Sequence, residues 1–142
     1  MVTITAELTS GTRVEISNGR HSWRADEPEN DGGQDTGPTP YELLMGSLTA
    51  CTCITLALYA RHKKIALKAV TASYEFDRIH ADDCADCDDD EKGFIEQIAS
   101  RVGIAGDFDE AQKQRLAEVA GRCPVHKTLT RGVKITDDVQ FV

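Results

Sequence analysis

Thr39-Pro40-Tyr41-Glu42-Leu43-Leu44-Met45-Gly46-Ser47-Leu48-Thr49-Ala50-Cys51-Thr52-Cys53-Ile54-Thr55-Leu56-Ala57-Leu58-Tyr59-Ala60-Arg61-His62 is the stretch on which the fold turns. It opens with the signals of a helix start. Thr39 can cap, Pro40 suits the first helical position with its fixed φ and missing N–H, and Glu42 sets a carboxylate three residues after the cap. Residues 43–60 then run for 18 positions without a charge, which reaches the lower limit of a membrane span. Gly46, Ser47, Thr49, Thr52 and Thr55 interrupt the run, so it reads as a long helix buried inside protein. The basic Arg61-His62-Lys63-Lys64 ends it at about His62.

Upstream, Val2, Ile4, Ala6 and Leu8 alternate with Thr3, Thr5 and Glu7, the period of a half-buried strand. Ser10-Gly11-Thr12 makes a turn, and Val14 and Ile16 continue the alternation to Asn18-Gly19, a two-residue hairpin signal, after which residues 21–25 return as a third strand. Residues 26–40 hold three of the four prolines and three glycines and read as a loop.

Downstream, Val70, Ala72, Tyr74 and Phe76 alternate as another strand, followed by an acidic loop over 81–92. Residues 94–105 fit a helix through Ile95, Ile98, Ala99 and Val102, and a strand through Ile98, Val102 and Ile104. Residues 107–121 form a helix capped by Asp107 or Asp109 and closed by Gly121. Cys123-Pro124 opens another helix, through Thr130, and Val133 and Ile135 suit a last strand. The pattern predicts one α+β domain over residues 1–142, around a largely antiparallel sheet.

Sixteen Lys and Arg against 24 Asp and Glu give a charge of −8, which speaks against nucleic acid and against a membrane surface as partners. The N-terminus lacks the basic start and apolar core of a signal peptide, so the cytoplasm is the expected compartment. Thiols stay reduced there, and the five cysteines read as catalytic, redox-sensing or metal-binding groups rather than as a disulfide framework.

Cys51 and Cys53 point about 200° apart on a helix, so at most one can serve a given site. Cys51 shares a stripe with Leu44, Leu48, Thr55 and Leu58. Cys123 stands at a helix N-cap, where free amides and the helix dipole favour a thiolate; Arg122 precedes it and His126 follows one turn on. Cys84-Ala85-Asp86-Cys87, with His80 four residues earlier, is the one candidate metal set, short of the four ligands that zinc takes. Its acidic surroundings disfavour thiolates. Arg13, Arg20 and Arg24 are candidate cations in the first strands. No phosphate loop, serine elbow or HExxH occurs, and no cofactor is expected.

Gly37-Pro38-Thr39-Pro40-Tyr41-Glu42-Leu43-Leu44, the helix Cys51, and Cys123-Pro124-Val125-His126 together resemble the OsmC/Ohr family, the osmotically inducible and organic hydroperoxide resistance proteins. The closer likeness is to the branch with a Cys-x-x-Cys loop and Cys-Pro-Val-His, whose members are described as redox proteins. The resemblance implies an intertwined homodimer with long central helices buried and sites at the subunit interface. It implies a stress-response peroxidase in which Cys51 attacks an organic hydroperoxide and Cys123 resolves the sulfenic acid, recycled by a small dithiol or lipoyl-type reductant. The family's Glu aligns with Tyr41, one residue before Glu42, and its Arg falls in the first hairpin. Glu42 and Arg24 are therefore carried over as supporting residues, with His126 beside Cys123. A competing reading is a non-catalytic thiol or metal sensor, or a ligand-binding dimer, using His80, Cys84 and Cys87.

Overall fold

The computed structural model describes residues 1–80 and 93–142. The chain divides into two compact units, Met1–Gly46 and Ser47–Val142. It is α+β, and the two sheets formed by the described residues are antiparallel.

In the first unit, β1 (Thr5–Ser10), β2 (Arg13–Ser17) and β3 (Ser22–Ala25) form the meander that the alternation predicts, in the order β1-β2-β3. β1 begins at Thr5 and is exposed along its whole length rather than half-buried, because it pairs only with β2 and no layer of its own unit covers it. The Asn18-Gly19 turn is wider than two residues. Ser17 pairs with Ser22, and the Asn18 Oδ1 accepts from the N–H groups of Arg20 (3.0 Å) and His21 (2.8 Å). That side chain takes up amides which a tighter turn would have paired to backbone.

The loop that follows contains a single 3-10 turn, Glu29–Asp31, and is tied down by Asp26. This buried carboxylate accepts from the hydroxyls of Thr12 (2.7 Å) and Thr36 (2.6 Å) and from the N–H groups of Glu27 (2.9 Å) and Thr36 (3.1 Å). α1 (Pro40–Lys63) begins in the first unit with the predicted capping box. The Thr39 N–H donates to Glu42 Oε2 (2.8 Å) and the Glu42 N–H to Thr39 Oγ1 (3.3 Å).

In the second unit α1 buries one narrow stripe, Leu48, Thr52, Leu56 and Ala60, spaced four residues apart. A single copy leaves the rest of the helix open. Only 22% of its most apolar 18-residue window is covered, and Ile54 and Leu58 stand 57% and 48% exposed. The helix is long and apolar enough to cross a membrane by length and composition alone, a test that the core helix of a globular protein also passes. The C-terminus closes in a Schellman turn, with the Ile65 N–H donating to the Ala60 carbonyl (2.9 Å), the Lys64 N–H to the Arg61 carbonyl (3.3 Å), and Lys64 at φ +55°.

β4 (Ala66–His80) and β5 (Phe94–Asp107) form a long two-stranded antiparallel ribbon, paired from Ala66–Asp107 to His80–Phe94 with one shift of register between Leu67 and Ala69. This decides the ambiguous segment in favour of a strand. A helix over the same residues would leave β4 with no partner for its backbone groups. α2 (Glu110–Ala120) starts from a capping box of Asp109 and Gln112, and α3 (Pro124–Arg131) from Cys123. The strand expected at Val133 and Ile135 does not form. Both side chains are exposed, Gly132 sits at φ +78°, and among the described residues no strand pairs with the segment.

Candidate active site

The site is built in the second unit, where the buried stripe of α1 meets β4 and the start of α3. Thr52 is wholly buried among Leu48, Leu56 and Ala60, so its hydroxyl needs partners inside the protein. It has two. Thr52 Oγ1 lies 2.8 Å from the Tyr74 hydroxyl on β4 and donates to Cys123 Sγ at 3.7 Å.

Cys123 is also wholly buried. Its backbone is extended, at φ −64° and ψ 153°, and its Sγ accepts from the His126 N–H at 3.4 Å, as expected of an N-cap ahead of Pro124. The Lys127 N–H then closes the first turn on the Cys123 carbonyl at 3.0 Å. Two donors, one backbone and one hydroxyl, therefore converge on a sulfur shielded from water.

Cys51 precedes Thr52 and is half-buried, with Thr55 Oγ1 at 4.0 Å from its Sγ, and Cys53 is half-buried as well. Thr52, the residue after Cys51 in the chain, is the one that hydrogen-bonds to Cys123. His126 serves by its backbone amide. Its ring lines a cavity of about 310 Å³ with Leu48, Tyr74, Ile98 and Leu129, and Glu96 stands at the same wall.

The two supporting residues taken from the first unit have structural partners there. Arg24 Nε donates to Glu15 Oε1 at 2.6 Å across the β2–β3 pair, and Glu42 completes the capping box of α1. Cys84 and Cys87 lie outside the described residues, as does the side chain of His80. Among the described residues no group of three or more His, Cys, Asp or Glu is placed to hold a metal ion. The sequence reading passed over Thr52 and Tyr74. The available signal was a hydroxyl in the middle of an otherwise apolar i, i+4 stripe, which calls for a buried partner.

A family profile described as OsmC-like protein matches residues 32–137, a span that contains both Cys51 and Cys123. Solved structures share the fold. An OsmC-like protein from Mycoplasma pneumoniae superposes with a TM-score of 0.69 at 23% identity, over 92% of this chain and 87% of that one. An organic hydroperoxide resistance protein from Elizabethkingia anophelis gives 0.61 at 26% identity, over 93% and 89%. An organic hydroperoxide resistance protein OsmC from Legionella pneumophila gives 0.63 at 22%, over 91% and 88%. No curated protein sequence matches the chain.

Proposed function

The chain belongs to the OsmC-like protein family, and on that footing we propose that it is a thiol peroxidase that reduces organic hydroperoxides with Cys51 and Cys123. The observation that carries the reading is the burial of Cys123 under two hydrogen-bond donors, one of them from the residue that follows Cys51. The hydroperoxide resistance proteins of the same fold supply the substrate class.

The Cys51 thiolate attacks the terminal peroxide oxygen. The O–O bond breaks, the alkoxide leaves and takes a proton from solvent, and Cys51 becomes a sulfenic acid. The Cys123 thiolate then attacks the Cys51 sulfur, expelling hydroxide, which is protonated to water, and leaving a disulfide. A small dithiol returns the two electrons and is itself oxidised to a disulfide. The exposed apolar face of α1 supports a homodimer as the working form.

Peptide mapping after one equivalent of cumene hydroperoxide tests the assignment. Cys51→Ser abolishes thiol loss. Cys123→Ser still consumes one equivalent and leaves a sulfenic acid at Cys51 that dimedone traps. Trapping at Cys123 in the Cys51→Ser protein would reverse the two roles.

A further inference from the structure

We propose that Thr52 and Tyr74 are positioning residues that make Cys123 the leaving sulfur when a Cys51–Cys123 disulfide is reduced. The inference rests on the pairing put forward above and adds a direction to its reductive half.

The direction follows from counting protons. Thr52 has one hydroxyl proton, and it is given to Cys123 Sγ. Its oxygen must then accept from the Tyr74 hydroxyl at 2.8 Å. A thiolate at Cys123 can only accept, which fixes the chain as Tyr74 O–H to Thr52 Oγ1, and Thr52 O–H to Cys123 Sγ. The His126 N–H adds a second donor at 3.4 Å. Since Cys123 is wholly buried, no water is on hand to solvate charge arriving there, and these fixed donors take that part.

Cys51 is placed differently. It is half-buried, and its sulfur has Thr55 Oγ1 at 4.0 Å as its hydrogen-bond neighbour. It is the less buried of the two sulfurs, and Cys123 is the one with donors in place to receive the electron pair. One thiolate of a dithiol attacks Cys51 Sγ, the Cys51–Cys123 bond breaks, and its electrons pass to Cys123 Sγ. The second thiol of the dithiol then displaces Cys51. The dithiol departs as its cyclic disulfide, and its two protons end on the two protein thiols. Donors held in place at the atom where charge develops act here as they do in an oxyanion hole.

Thr52→Val, Thr52→Ser and Tyr74→Phe test the relay. Each protein is oxidised with diamide, and the second-order rate of disulfide opening by dithiothreitol is measured beside the rate of Cys51 oxidation by cumene hydroperoxide. Opening is expected to slow about tenfold in Thr52→Val, as for loss of one modest hydrogen bond to a developing charge. It slows less in Tyr74→Phe and recovers in Thr52→Ser, while Cys51 oxidation stays within about twofold in all three. Equal opening rates in every variant, or parallel slowing of both steps, would overturn the proposal.

If Thr52→Val does not fold, the half-buried Tyr74→Phe decides on the same split of rates. A protein that diamide cannot link between Cys51 and Cys123 overturns the pairing and the relay together. One that diamide links but cumene hydroperoxide leaves reduced overturns the peroxidase reading, and the opening rates still decide the relay.

Discussion

Asp26 shows how much one side chain can organise. Hydrogen bonds from the Thr36 hydroxyl first, and then from the Thr12 hydroxyl, hold its carboxyl well below the usual carboxylate range against the opposing effect of burial. A depressed carboxyl lends stability that is complete above its unfolded value of about 3.9 and fades as pH falls toward the lower folded value. Asp26→Asn turns one accepting oxygen into a donor that faces other donors. It should therefore unfold in less urea than the native chain at pH 7, and the difference should shrink steadily between about pH 4 and pH 2. An unchanged difference across that range would show that the carboxylate charge is not what ties the loop. At the same scale Cys123 was legible in advance, because Pro124 beside it announces a helix start. The link from Tyr74 to Thr52 to Cys123 was not, because it joins positions 22 and 71 residues apart in sequence, and nothing local records such a pairing.

Helix ends follow the same division between local and distant causes. The caps at Thr39, Asp109 and Cys123 were readable because each donor and acceptor lies within four residues. The strand Phe94–Asp107 was not, because its apolar positions fit two periods and the choice falls to β4 across the ribbon. The segment after Gly132 has an alternating pattern but, among the described residues, no partner strand to act on it. The end of α1 carries a test of its own. Lys64 occupies the left-handed region at φ +55°, where a Cβ is disfavoured and glycine is at ease. Lys64→Gly should stabilise the protein by roughly 0.5–1 kcal/mol, the relief of strain being partly offset by the freer unfolded chain. A lower thermal midpoint in that variant would mean that the lysine stem makes packing contacts that outweigh its backbone strain.

Taken whole, the molecule leaves more of its longest helix uncovered than a single copy can justify. Ile54 and Leu58, four residues apart on α1, are both exposed, and in the proposed dimer they belong to the contact between copies. Sedimentation should give about twice the 15.5 kDa of one chain, and Ile54→Glu should shift that mass toward the monomer by placing a charge in the contact. A native chain that sediments as a monomer at micromolar concentration would overturn the dimer. The uncovered helix also has a consequence for supply. In the proposed dimer, abundance itself becomes a determinant of folding, since mass action favours the paired form as the chain accumulates. On that reading, where the protein is scarce more of it stands with its apolar helix in water, and any signal that raises its synthesis steadies every copy already made.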